Sequence, residues 1–377
     1  MSLIEITRAT DGKTSGRHII TLKETVSKFE HLAHVTTSLA GESNITHGDW
    51  EILNGYAGVV DEAALEALRA SPDIKAIEED GVCQGGNVVA QNNAPWGLQR
   101  ISQDAPVRGS PNGLNFAYRF DDSAGAGIDI YVIDTGINIT HADFGGRARL
   151  GAVYGSPQNF DGHGHGTHVA GTAAGKQYGV AKAANLIAVK VLKDNNSGMN
   201  SDFISGMNWV AQAAARSNRP SVVNMSIYTN GASQAVDDAA TMLTQRGVHT
   251  AVCAGNKNQD ARLTSPARAP AVITVGASTI DDTRWPDSNW GPALDILAPG
   301  HNVISAGIAG NNSWMTMSGT SMASPHVAGL VAYFIGRYGN PDTATMSQYL
   351  QKMGVKNALG GLPNGTVNIL ARNDVRG

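Results

Sequence analysis

Five short apolar runs constrain this chain more than any other feature. Residues 128–133, 186–191, 221–226, 248–254 and 271–276 are β-branched and nearly uninterrupted, the pattern of strands buried on both faces. Between them, 201–217 and 232–246 repeat their apolar residues at helical spacing. Strands alternating with helices predict an α/β domain, a three-layer sandwich whose mostly parallel central sheet has helices on both sides. Functional side chains in such sheets collect at the carboxyl ends of the strands, so the turns after these runs are where chemistry is to be sought.

The first 80 residues read differently. A strand at 18–23, a helix at 24–39, two strands within 46–60 split by Asn54-Gly55, a helix at 61–71 and a strand at 74–77 follow one another. That β-α-β-β-α-β order predicts a small ferredoxin-like α+β domain over 18–80, after an extension at 1–17. Residues 81–89 have no period and hold the pair Gly85-Gly86, which marks a linker into a larger domain at 90–377. The chain carries 16% charged and 42% apolar residues, so most of it must fold and bury. Its net charge of -4 comes without a long like-charge run, which excludes nucleic acid and anionic membrane as implied partners. No run approaches the roughly 18 consecutive apolar residues of a membrane span. Two cysteines, Cys83 and Cys253, allow at most one disulfide, and the N-terminus shows Glu5 rather than the apolar core of a signal peptide. Both features predict an intracellular compartment, or secretion if a leader has been removed.

Three segments carry candidate chemistry. The strand ending at Ile133 runs into Asp134-Thr135-Gly136, a carboxylate in the first turn beyond a buried strand. Asp161-Gly-His-Gly-His-Gly-Thr-His168 places three imidazoles among small residues at the start of an Ala/Gly-rich helix. His163, His165 and His168 have a His-x-His-x-x-His spacing open to a metal reading, although no acid stands among them as a further ligand and no His or Cys cluster elsewhere completes a site. Ser321 opens an apolar helix at 322–336, too hydrophobic to face water, with Pro325 expected in its first turn. A serine there has an unpaired backbone N–H and a dipole that favours developing negative charge. Alone, each segment has an ordinary structural explanation as turn, cap or core. Together they supply carboxylate, imidazole and hydroxyl, and a serine becomes a nucleophile once an imidazole oriented by a carboxylate can take its proton. Val252-Cys-Ala-Gly-Asn256 adds an amide at a strand end, a donor suited to an oxyanion.

The motifs Asp134-Thr-Gly-Ile, Gly164-His-Gly-Thr-His-Val-Ala-Gly-Thr, Ala254-Gly-Asn and Gly319-Thr-Ser-Met-Ala-Ser-Pro-His-Val-Ala-Gly resemble those of subtilisin-like serine proteases. Asn93-Ala-Pro-Trp-Gly-Leu-Gln-Arg-Ile-Ser102 and the motif spacing are similar to the proteinase K branch. The resemblance implies a serine endopeptidase with Asp134 orienting the imidazole, His165 as base and then acid, Ser321 as nucleophile, and Asn256 with the Ser321 N–H holding the oxyanion. His163 and His168 match flanking positions without a catalytic role. It implies a polypeptide substrate lying between Ser197-Gly198-Met199 and Ser226-Ile227-Tyr228, with Ala254 and Gly255 beside it, and no catalytic cofactor. Asp295 with the carbonyls of Pro270 and Val272 resembles a calcium site of that branch. Residues 18–80 resemble an inhibitory propeptide, removed by self-cleavage near Val89–Ala90 to leave a monomer. Where the family usually has Ser-Leu-Gly-Gly this chain has Ser226-Ile227-Tyr228-Thr229, so the primary pocket is expected to differ. The alternative from another class is a catalytically silent scaffold acting as a protease inhibitor or binding protein.

Overall fold

The computed structural model describes residues 3–9, 14–38, 44–47, 50, 52–81 and 87–375. Part of the predicted 46–60 strands, the end of the predicted helix at 39, and Cys83 lie outside the described residues. The chain forms two compact units, Met1–Gly85 and Gly86–Gly377.

The first unit is a five-stranded sheet in the spatial order Ile6–Thr7, Ile74–Gly81, Thr14–Leu22, Gly55–Val59, Asn44–His47. All neighbours are antiparallel except Ile6–Thr7, which adds a parallel edge. Helix Glu62–Ala70 starts where Asp61 accepts the Ala64 N–H at 2.8 Å, the ordinary use of an aspartate N-cap. Its Ala64 and Leu68 pack with Ile20, Leu22, Tyr56, Ile74 and Ile77 in the unit's own core. The strand at Thr14 begins inside the stretch read as an extension, and Ile74–Gly81 runs on through Glu78-Glu79-Asp80. Those acids lie beyond the strand predicted at 74–77 because they break the apolar pattern. The strand tolerates them because the ladder between Ile6–Thr7 and Thr14–Leu22 uses backbone groups, not side chains.

In the second unit the sheet has nine strands: Val355–Lys356, Ile369–Leu370, Ile296–Pro299, Ile273–Ser278, His249–Cys253, Ser221–Met225, Asp129–Asp134, Asn185–Lys190, Ala148–Val153. Every pairing is parallel except the one between the two short strands at the Val355 edge. Helices His165–Ala174 and Thr320–Tyr338 contribute to the core on one face, and Asn200–Ser217 and Gln234–Gln245 to that on the other. The first pair of helices touches closely. A Cβ at Gly329 would meet the Ala173 carbonyl oxygen at 2.7 Å and Val180 Cβ at 2.6 Å, so only glycine fits there. Strand order reverses around Asp129–Asp134, whose two neighbours both come later in the chain, and the crevice at that switch point is where the candidate residues converge.

Two features differ from the sequence reading. Helix Thr320–Tyr338 starts at Thr320, so Pro325 is its sixth residue and lies beyond the first turn. Val88–Ala94 is a strand paired with Phe116–Asp121, placing Val89 opposite Phe120 and Ala90 opposite Arg119. The amide-rich run Gln91-Asn92-Asn93 lacks an alternating apolar pattern, yet it lies in this strand and two side-chain amides hold it: Gln91 Nε2 donates to the Gln177 carbonyl at 2.8 Å, and Gln177 Nε2 donates to the Asn93 carbonyl at 2.5 Å.

Candidate active site

Strand Asp129–Asp134 carries Asp134 to its carboxyl end, fully buried. Its carboxylate takes the Thr135 N–H at 2.7 Å and lies 2.8 and 2.9 Å from His165 Nδ1. His165 is the first residue of helix His165–Ala174, entered through Gly164 at φ +97°, a left-handed position that suits glycine. Asp161 holds this turn: its two oxygens accept from the backbone N–H groups of His163, Gly164 and Thr167 and from the hydroxyls of Thr135 and Thr167. Burial by itself lowers the pKa of His165, but the charge of Asp134, its hydrogen bond and the charge of Asp161 overcome this and hold the imidazole above its ordinary 6.5. The sequence reading quoted Asp161 without giving it a role. The available signal was an acid four residues before a helix start, the reach of a capping carboxylate.

Of the other two histidines, only His168 is a core residue. His168 Nε2 contacts the Val303 carbonyl at 2.9 Å and burial drives its pKa to about 3. His163 borders the cleft, with its ring 6.3 Å from that of His165. With His165 committed to Asp134 and His168 to a backbone carbonyl, the three do not converge on one point, and among the described residues no group of three or more His, Cys, Asp or Glu could hold a metal. Lys190, which the sequence reading passed over, is fully buried beneath the site and donates to the Thr135 carbonyl at 2.5 Å and to Asp194 at 2.8 Å.

Ser321 is the second residue of helix Thr320–Tyr338. Its hydroxyl donates to the Ser226 carbonyl at 3.2 Å and borders the same cleft as His165. Asn256 Oδ1 accepts the Thr320 N–H at 2.9 Å and the Thr320 hydroxyl at 2.7 Å, which fixes the amide and leaves its Nδ2 to donate elsewhere. That Nδ2 and the Ser321 N–H flank one point: a Cβ built on Gly319 would stand 3.2 Å from Asn256 Nδ2 and 3.6 Å from Ser321 N. Two N–H donors at the edge of a helix N-terminus make a place for an oxyanion. Cys253, just below, is buried, and burial pushes its thiol up to about 12, so it stays a neutral thiol.

The cleft has a volume of about 710 Å³. Ser197, Gly198 and Met199 form one wall, and Ser226, Ile227 and Tyr228 the other. Ala254 and Gly255, expected beside the substrate, are buried and do not border the cleft, and the Gly255 N–H donates to the Thr320 hydroxyl at 3.1 Å. The Thr229 hydroxyl turns back to the Ser265 carbonyl at 3.2 Å, while Tyr228 borders the cleft half-buried, with its phenol beside Asn256. At a separate place Asp295 is half-buried, and desolvation lifts its pKa to about 6 although the Thr274 N–H donates to it at 2.8 Å. Among the described residues, no hydrogen bond ends on the carbonyls of Pro270 or Val272.

Residues 125–368 match the model of the subtilase family. The chain is 46% identical over 322 residues to a cuticle-degrading protease of Metarhizium anisopliae, covering 85% of this chain and 80% of that protein. It is 43% identical over 361 residues to the alkaline serine protease ver112 of Corniculantispora psalliotae, covering 95% and 90%. Among solved structures, a cold adapted subtilisin-like serine proteinase superposes with a TM-score of 0.67 at 41% identity, covering 74% of this chain and 98% of that one. The relatives overturn the expectation of an intracellular compartment, since one of them is named for degrading cuticle, a material outside cells. Scarce cysteines do not report the compartment here because a unit of this size buries enough apolar surface to dispense with disulfides.

Proposed function

The chain belongs to the subtilase family and is a subtilisin-like serine protease, and from that premise we propose that it cleaves polypeptides through Asp134, His165 and Ser321 by way of an acyl-enzyme. The observation that carries this reading is the bond from His165 Nδ1 to a buried carboxylate at 2.8 Å, with Ser321 on the same cleft. Asp134 fixes the tautomer with its proton on Nδ1, so Nε2 is free to accept. The Ser321 hydroxyl turns from the Ser226 carbonyl to Nε2, loses its proton there, and attacks the peptide carbonyl. The carbonyl oxygen becomes an anion between Asn256 Nδ2 and the Ser321 N–H, and His165 returns the proton to the leaving amine. No cofactor takes part. Asn256→Ala should lower kcat by about 10²–10³ with little change in KM, because the amide acts on charge that appears only in the transition state. Steady-state kinetics on a chromogenic peptide read this, and an unchanged kcat would place the donor elsewhere.

Tyr228 narrows the pocket for the side chain before the scissile bond, since its phenol stands beside the amide that receives that residue's carbonyl. Peptide-library profiling should show the wild type cutting after small residues and Tyr228→Gly accepting large aromatic ones. Identical profiles would mean that the phenol leaves the pocket open.

A structural calcium ion suits Asp295 with the carbonyls of Pro270 and Val272: a desolvated carboxylate and two carbonyls without donors are oxygen ligands for a hard cation. Calcium should raise the unfolding temperature of the wild type, and Asp295→Ala should abolish that rise, because an ion bound only to the folded state stabilises it by mass action. A calorimetric scan with and without calcium decides; equal responses of the two proteins would remove the site.

The first unit acts as a propeptide that inhibits until removed. The solved relative has no counterpart for about a quarter of this chain, close to the share taken by Met1–Gly85. In the annealed strand Val88–Ala94, Gln91 is bonded to Gln177, three residues past the end of helix His165–Ala174. His165 begins that helix, so the strand is anchored near the helix end remote from the base. Self-cleavage therefore precedes the pairing of Val88–Ala94 with Phe116–Asp121, and that pairing holds the new N-terminus away from the cleft.

A further inference from the structure

Proline at the sixth position of a helix leaves a gap, because it has no N–H for the carbonyl four residues earlier and its ring pushes that carbonyl outward. For Pro325 the orphaned acceptor is the carbonyl of Ser321 itself. In this fold it is not left bare: the Ser226 hydroxyl donates to it at 2.8 Å. The Ser226 hydroxyl is in turn held by Asn224, whose Nδ2 donates to it at 2.9 Å, and Asn224 Oδ1 accepts the Ser324 hydroxyl at 2.8 Å. Asn224 and Ser324 are fully buried, and Ser226 is 4% exposed. The chain of bonds runs from the end of strand Ser221–Met225 into the first turns of helix Thr320–Tyr338 and closes at the residue that carries the hydroxyl.

We propose that Ser226 is a positioning residue whose side-chain hydroxyl, oriented by Asn224 and Ser324, stands in for the N–H that Pro325 lacks and thereby fixes the backbone of Ser321 in the cleft. This rests on Ser321 being the nucleophile and adds to it a role for a side chain that touches neither substrate nor reacting atoms. The alternative arrangement, an ordinary residue at 325, would satisfy the same carbonyl from within the helix and leave it pointing along the axis. With proline the carbonyl is handed to the cleft wall, so the nucleophile's backbone is tied to the segment Ser226-Ile227-Tyr228 that borders the substrate. A buried carbonyl with no donor is unfavourable, and the turn would shift to find one.

The test is a double-mutant cycle on the full chain: wild type, Ser226→Ala, Pro325→Ala and the double variant, with kcat and KM on a chromogenic peptide and the labelled fraction with a fluorophosphonate. Ser226→Ala should lower kcat about 10- to 100-fold, the loss typical of a misplaced reacting group, with KM within about twofold, since the backbone of the wall is retained. In the Pro325→Ala background, where residue 325 regains its N–H, the same change should cost less than about threefold. A structural role alone would change yield or unfolding temperature and leave the kcat of the folded, labelled fraction intact, which would overturn the proposal. Equal losses in both backgrounds would also overturn it. If Ser226→Ala fails to fold, recovery of folded protein in the double variant supports the compensation, and no recovery overturns it. Absence of labelling in the wild type would overturn the nucleophile assignment together with this proposal, whereas an active wild type with equal losses overturns this proposal alone.

Discussion

Ser321→Ala lowers kcat by about 10⁶-fold and leaves the fold intact. The size of the loss follows from what the hydroxyl does: without it there is no covalent intermediate, and the remaining groups act only through the oxyanion donors and substrate binding, worth about 10³–10⁴ over water. The fold survives because the hydroxyl makes one hydrogen bond, to the Ser226 carbonyl at 3.2 Å, and losing one such bond costs about 0.5–1.5 kcal/mol. Asn256 Oδ1 binds Thr320 and not Ser321, so the oxyanion donors keep their place in the variant. The same substitution should stop the chain from dividing near Val89–Ala90. Mass spectrometry of the purified proteins over time checks both points: the wild type divides at a rate independent of dilution, and the variant remains at full length. Near wild-type turnover in the variant would remove Ser321 from the mechanism, and a variant divided equally fast would assign the processing to another protease.

Much of this was legible because the residues concerned sit at ends of elements whose pattern is strong. The uninterrupted runs before Asp134 and Asn256 announce buried parallel strands, and the sheet then brings their carboxyl ends into one crevice. Asp161 and Lys190 were missed for a shared reason: both act through backbone groups, Asp161 by accepting N–H groups at a helix start and Lys190 by donating to the Thr135 carbonyl. The position of Asp161 before a helix start and the Lys190–Asp194 spacing of four were signals of capping and pairing, but they do not say which backbone groups those side chains meet. Pro325 was misplaced because the helix was counted from its first apolar residue, Met322, while the hydrogen-bonded helix begins at Thr320, two residues earlier. Those two residues decide whether the proline is harmless or orphans the Ser321 carbonyl. Val88–Ala94 escaped notice because strands can be held by backbone ladders and side-chain amides without an alternating apolar pattern.

Asp134→Asn separates the orienting role of the carboxylate from the mere filling of its space. The Thr135 N–H donates to Asp134 Oδ1 at 2.7 Å and would keep the new carbonyl there, 2.8 Å from His165 Nδ1, which puts the NH₂ at the Oδ2 position, 2.9 Å from the same nitrogen. An amide donor within reach of Nδ1 competes for that nitrogen and favours the tautomer with its proton on Nε2, the nitrogen that has to accept from Ser321. The expected cost is about 10⁴ in kcat with the site's shape retained. The pH profile carries a second, independent consequence. In the wild type, burial alone would depress His165, and Asp134, with a contribution from Asp161, lifts it above 6.5. Catalysis needs the neutral ring, so kcat/KM should rise with pH through a midpoint above 6.5. With the charge at 134 gone, only Asp161 opposes burial, and the acid limb of the residual activity should move to lower pH while its plateau falls. An acid limb that stays where it was in the wild type would mean that the titrating base is a group other than His165, and a plateau that stays high would mean that the tautomer is set by something other than Asp134.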